Sequence, residues 1–205
     1  MTNQIALNGR SGRQIAEFFG NFISLSIDLS WVEFSICNIL FQRNVYPEED
    51  FTLTNHYGIS LYTASNPKLK EYITQFMTQL EKWIDIGKIC RLVLVLSSKD
   101  TREVSERWQF QINKDASDIK PHSTDQMNKQ IAAFMRQISA SISFLPIPDD
   151  ELTFNILAYT DKDASVPMEW IDSDAREILK PQMVKLRSVQ MNETQIESLV
   201  SYKIS

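Results

Sequence analysis

Apolar residues recur at helical spacing in three parts of the chain. Ile15, Phe18 and Phe19 follow Ser11-Gly-Arg-Gln14, a Ser-x-x-Gln capping box, and the pattern resumes at Phe34, Cys37 and Phe41 before Tyr46-Pro47. Asn66-Pro67 opens a second helix, because Asn is a good N-cap and Pro is favoured at the first helical position. Leu69, Tyr72, Ile73, Phe76, Met77, Leu80, Trp83 and Ile84 share its inner face, and Gly87 suits its end. A third helix begins at Ser123 or Thr124, where Ser123-x-x-Gln126 is another capping box. It buries Met127, Ile131, Phe134, Met135, Ile138 and Ile142, and Pro146 and Pro148 end the segment.

Strand patterns lie between and after these helices. Phe51–Tyr62 reads as two short strands around Asn55-His-Tyr-Gly58. Leu92–Leu96 is apolar on both faces, which predicts a central, covered strand. Glu103–Asn113 alternates and reads as its neighbour, followed by a polar loop to Ser123. Leu152–Asp161 has no Gly or Pro and is rich in aliphatic and aromatic side chains, so it reads as a strand. The connection Thr160–Pro181 is long for a compact domain, and such loops are commonly functional. Gln182–Gln190 and Ile196–Ile204 are expected strands with Asn192-Glu-Thr as the turn.

Residues 20–32 break the first helix. Ile23, Leu25, Ile27, Leu29 and Trp31 alternate with Ser24, Ser26, Asp28 and Ser30, a period-2 signature. A segment of that length also rotates a continued helix by about 220° out of phase. Three readings stand: an added strand or loop, a locally rebuilt helix, or translated non-coding sequence such as a retained intron.

The 205 residues are 43% hydrophobic and 23% charged, which fits a single globular domain over 1–205 with a sizeable core. The net charge of −5 comes without a Lys/Arg-rich face, so no nucleic-acid partner is expected. Cys37 and Cys90 have no metal-ligand spacing and read as reduced thiols. The first ten residues lack the apolar core of a signal peptide, and no apolar run is long enough for a membrane span. His56 and His122 sit in polar stretches without ligand partners. There is no Gly-x-Gly-x-x-Gly, Walker loop or Gly-x-Ser-x-Gly, and Asp161-Lys-Asp163 lacks the rest of a calcium loop. Neither catalysis nor a cofactor is expected. Trp170, in an acidic loop, reads as exposed. It could anchor the loop on the core, cover a bound segment, or do both.

Seven stretches together resemble a HORMA domain, and within it the mitotic-arrest-deficient (Mad-two) family of spindle assembly checkpoint proteins. They are Ile15–Phe19, Asn38–Pro47, Glu106–Phe110, Arg136–Pro146, Ala158–Asp163, Val166–Trp170 and Val200–Ile204, in family order. Removing residues 20–32 joins Ala-Glu-Phe-Phe to Glu-Phe-Ser-Ile-Cys and restores that family's first helix, which favours a splicing or gene-model origin for them. The resemblance implies an α+β fold, a mainly antiparallel sheet backed by three helices, with residues 151–205 forming an edge strand and a mobile C-terminal safety-belt hairpin. In an open state the belt covers the edge of the strand matching Leu152–Asp161. In a closed state it crosses to the strand matching Glu103–Asn113, and a partner peptide adds to the vacated edge. The Leu152–Asp161 strand is therefore expected to have a free edge.

The resemblance also implies the site residues. Leu152, Phe154, Ile156, Ala158 and Tyr159 form the peptide edge. Trp170, Leu186, Leu199 and Tyr202 belong to the belt, and Arg136, Gln137, Phe144 and Arg187 to the surface pairing an open copy with a closed one. The implied partners are a checkpoint scaffold at kinetochores, the activator of the anaphase-promoting complex, and an AAA+ remodelling ATPase. The implied location is the nucleus, unattached kinetochores and cytoplasm. The rival within the fold is another HORMA adaptor, a translesion-polymerase accessory subunit or a meiotic axis protein.

Overall fold

The helix-starting signals are realised as local hydrogen bonds. The computed structural model describes residues 2–7, 28–114, 123–168, 170–191 and 194–204. Helix α1 spans Ser30–Gln42, α2 Pro67–Asp85 and α3 Thr124–Ile142. The Asn66 side chain accepts from the Lys68 and Leu69 amides at 3.0 and 3.2 Å at the head of α2. Ser123 and Gln126 close the predicted capping box on α3. Past the end of α2, Gly87 takes the positive φ of 67° that a side chain would resist.

The capping box expected at Ser11 lies outside the described residues. Within them, α1 starts at Ser30, where Asp28 Oδ1 accepts from the Ser30 amide at 3.0 Å and Tyr57 donates to Asp28 Oδ2 at 2.8 Å. The strand-like alternation of residues 20–32 does not reach Ser30–Val32, which are the first turn of this helix. Trp31 is 1% exposed, and its ring meets Phe110 and Phe134 edge-on at 5.9 and 5.8 Å. The core outweighs local alternation there, because an indole buried against Phe110 and Phe134 stabilises the helical phase. Residues 20–27 lie outside the described residues.

The strands are β1 (Thr2–Leu7), β2 (Phe51–His56), β3 (Ile59–Ala64), β4 (Ile89–Ser98), β5 (Val104–Lys114), β6 (Leu152–Asp161), β7 (Trp170–Asp172), β8 (Gln182–Lys185), β9 (Val189–Met191) and β10 (Thr194–Tyr202). β2 and β3 form a separate hairpin. The others make one sheet in the order β7-β1-β6-β4-β5-β10-β8, with β9 also on β10, and every described pairing is antiparallel. The α+β expectation is met by this sheet and the three α-helices among the described residues.

The helices share one core with the sheet. α1 is buried nearly all round, from Trp31 to Leu40, which is the signature of a central helix. Its buried Asn38 is satisfied: Nδ2 donates to the Phe34 carbonyl at 2.6 Å, and Oδ1 accepts from the Tyr62 amide at 3.4 Å. In β4, Leu92, Val93, Leu94, Val95 and Leu96 are all essentially inaccessible. Val93 and Val95 face away from the main core, where they cluster with Ala6 and Leu157.

Candidate functional site

β6 has β4 on one side and β1 on the other. β1 pairs with it over Leu157–Asp161, placing Ile5 opposite Ala158 and Gln4 opposite Tyr159. The expected free edge is therefore filled along this stretch. The physical reason is that an open strand edge leaves backbone N–H and C=O groups unpaired, and an extended segment satisfies them. Of the expected edge residues, Leu152, Ile156 and Ala158 are buried in the helix-side core. Phe154 packs edge-on against Tyr46 and Tyr72, at 6.0 and 5.4 Å. Tyr159 faces the other way, with the Arg91 guanidinium 5.1 Å from its ring centre. Burial pushes the Tyr72 hydroxyl up to about 12, against a hydrogen bond with the Ile156 backbone. The side chains of β6 thus hold the strand in place, and an added strand meets its backbone.

The connection after β6 covers that added strand. β7 lies along the far edge of β1, with Trp170 opposite Leu7 and Asp172 opposite Ile5. The Ser173 amide donates to the Gln4 carbonyl at 3.2 Å, and the Gln4 side-chain amide donates to the Asp174 carbonyl. Trp170 is buried, contrary to its expected exposure. Its ring lies 4.7 Å from Trp83 and 5.9 Å from Phe76, both on α2. The Trp83 indole donates to the Ser165 carbonyl at 3.0 Å, and Lys88 pairs with Asp163 at 2.7 Å. Trp170 is a core anchor on the strand that pairs with β1.

The C-terminal hairpin sits on β5, away from β6. Val200 pairs with Trp108, Ile196 with Ile112 and Tyr202 with Glu106. Ile196, Val200, Leu186 and Val189 are its buried apolar residues, and Tyr202 packs against the core in part. Leu199 lies on the opposite face from Val200 and is only half-buried, so the buried anchor is the neighbouring valine. The expected strand Gln182–Gln190 is split. Leu186 bonds to Ser198 and Val189 pairs with Ile196, so one extra residue enters on this side, a β-bulge at Arg187-Ser188. The bulge turns the Arg187 amide out of the ladder, and it donates to Gln137 Oε1 on α3 at 2.8 Å.

Of the four expected dimer residues, Gln137 and Arg187 are thus in contact. Arg136 is exposed on α3 beside Gln137. Phe144 is 80% exposed just past α3, and Ile147 beyond it is 85% exposed.

Sequence reading missed the ion pair under this hairpin. Arg43 and Glu106 are in contact with side chains only 5% and 3% exposed. Arg43 also donates to the Pro146 carbonyl at 2.6 Å, and Glu106 accepts from the Trp108 indole at 3.0 Å. Burial raises the Glu106 carboxyl above its ordinary range, and Arg43 opposes that. Arg-Asn at 43–44 and Glu-Arg-Trp at 106–108 were visible as motifs, but nothing in either showed that the two charges meet.

His56 lies exposed against the Phe34 ring at 4.6 Å, while His122 is outside the described residues. Cys37 is buried and its thiol is pushed up to about 12, and burial also raises that of Cys90. Neither thiol is primed as a nucleophile.

The HORMA domain family matches residues 30–193. The chain is 39% identical to the mitotic spindle checkpoint protein MAD2 of Zea mays, over 97% of this chain and 91% of that protein. It is 38% identical to the mitotic spindle checkpoint component MAD2 of Saccharomyces cerevisiae, over 99% of this chain and 100% of that protein. Among solved structures it resembles a chain of the mitotic checkpoint complex, with a TM-score of 0.79 and 37% identity over 86% of this chain and 96% of that one.

Proposed function

The chain belongs to the HORMA domain family, in its MAD2-like spindle checkpoint branch of non-enzymatic adaptors, and from that premise we propose that it captures a partner peptide by strand addition to β6. The observation that carries this reading is that β6 already accepts an added strand there, which β7 then encloses. Backbone hydrogen bonds along β6 supply affinity that is tolerant of sequence, and the alternate pockets along the strand select the ligand. The hairpin on β5 corresponds to the closed state of the belt. Release of an enclosed peptide then requires local opening of the belt, so dissociation is slow.

The partners follow from the checkpoint branch. The closed protein holds the activator of the anaphase-promoting complex and delays anaphase. A checkpoint scaffold at unattached kinetochores presents the same kind of segment, and an AAA+ ATPase reopens the belt. Arg136, Gln137, Phe144 and Arg187 form the surface for an open copy. Nucleus, kinetochore and cytoplasm are the places where this work is done.

The test is a pull-down from mitotically arrested cells, read by mass spectrometry. The expected result is enrichment of the anaphase-promoting-complex activator and a kinetochore scaffold. Enrichment of a translesion polymerase or of meiotic axis proteins instead overturns the checkpoint reading in favour of another HORMA adaptor.

A further inference from the structure

The strand occupying the β6 edge is not a foreign peptide. It is Thr2–Leu7 of this chain, and it is bound as a ligand would be. β6 pairs with it on one side and β7 on the other. Ile5 and Leu7 are 1% and 6% exposed in the helix-side core, in the same cluster as Ala158 and Trp170. Ala6 faces the opposite side, packed with Leu157, Val93 and Val95, where the flanking side chains are fully covered. Gln4 is gripped through both its carbonyl and its side-chain amide, by Ser173 and Asp174. A strand that merely finished the sheet needs no cover on its outer edge.

We infer that Thr2–Leu7 is a built-in ligand of this chain's own peptide site, which an incoming partner must displace. The inference rests on the proposed peptide capture and names what the site recognises. The site takes an extended segment with an amide or similar donor at the position of Gln4, a branched apolar residue at that of Ile5, a small residue at that of Ala6 and a large apolar one at that of Leu7. Ala158 opposite Ile5 is small, which leaves room for a branched side chain between the strands. Leu157 opposite Ala6 is large and inaccessible, which limits that position to a small residue. Being on the same chain, the segment competes without a concentration cost, and the apparent affinity for any partner is reduced by the fraction of molecules it occupies.

The probe is a fluorescein-labelled peptide, Thr-Asn-Gln-Ile-Ala-Leu-Asn-Gly, added to the full chain and to Ile5→Asp in the full chain. Aspartate at this buried position lies opposite Ala158 on one side and the carboxylate of Asp172 on the other, so it expels β1. The expected result is that Ile5→Asp binds the probe about tenfold more tightly than the unsubstituted chain, while Thr2→Lys, at an exposed position, changes nothing. Equal binding by Ile5→Asp and the unsubstituted chain, or none by a folded Ile5→Asp, overturns the inference. Hydrogen exchange on the unsubstituted chain is independent of how that variant folds. A saturating excess of probe is expected to speed exchange of the Gln4–Leu7 amides and leave Leu157–Asp161 protected. Unchanged protection of Gln4–Leu7 under that excess overturns it. Either failure leaves the pull-down result untouched, because partners could still enter along β6 beyond β1.

Discussion

The Arg187 amide, freed by the bulge in the C-terminal hairpin, donates to Gln137 Oε1 on α3 at 2.8 Å. One hydrogen bond therefore ties the hairpin to a helix whose exposed face carries Arg136. The docked position of the hairpin and the shape of the adjoining surface are coupled through this contact. A copy whose hairpin lies elsewhere lacks this bond.

Gln137→Ala removes the acceptor and leaves an amide that water can reach. The expected loss is about 0.5–1.5 kcal/mol of hairpin docking, read as faster hydrogen exchange in β8 and β9 with the exchange of β4 unchanged. Arg136→Glu is expected to weaken self-association at an unchanged melting temperature. Sedimentation at matched concentration checks this, and an unchanged profile counts against Arg136 as an interface residue.

Glu106→Gln leaves the Arg43 charge buried without its partner, at an expected cost of about 3–5 kcal/mol in urea unfolding. Arg43→Met acts through pH. The Glu106 carboxyl is already raised from 4.5 by burial, and Arg43 holds it down in part. Without Arg43 it rises further, so the native state binds a proton that the unfolded chain releases. Stability is then fully present below the unfolded glutamate value and lost as pH rises through the folded one. Denaturation of Arg43→Met at successive pH values should show a steeper fall towards neutral pH than the unsubstituted chain. Parallel profiles contradict this.

Trp31→Ala removes a fully covered indole, and the expected cost is about 3–5 kcal/mol. Deleting residues 20–32 brings Phe18-Phe19 directly before Glu33, into the sequence positions that Trp31-Val32 hold. Two aromatic side chains then replace the lost pair, and the melting temperature is expected to stay level or rise. A clear fall shows that residues 20–32 are integrated in the fold.

Much of this architecture was legible because its signals are local. Asn66-Pro67, Ser123-x-x-Gln126 and the doubly apolar Leu92–Leu96 each declare their element within a few residues. The period-2 run ending at Trp31-Val32 misled, because burial against Phe110 and Phe134 decides that turn. Trp170 looked exposed from its acidic neighbours, while Trp83 and Phe76 bury it from across the sequence. In β10 the inward positions include Thr194 and Ser198, both buried, so counting apolar residues obscured the phase and drew attention to Leu199 over Val200. The pairing of Thr2–Leu7 with β6 and the Arg43–Glu106 contact join distant segments, and no local pattern encodes either.

Peptide capture by the full chain and by a chain ending at Gln195 tests the belt most directly, because that truncation removes the strand paired to β5. The probe is a peptide of the anaphase-promoting-complex activator recovered in the pull-down, and the readout is its equilibrium affinity and dissociation rate. Slow release from the full chain and loss of capture by the truncated one are expected, with Val200→Asp weakening capture in the full-length chain. Retained nanomolar binding with unchanged release after truncation contradicts this.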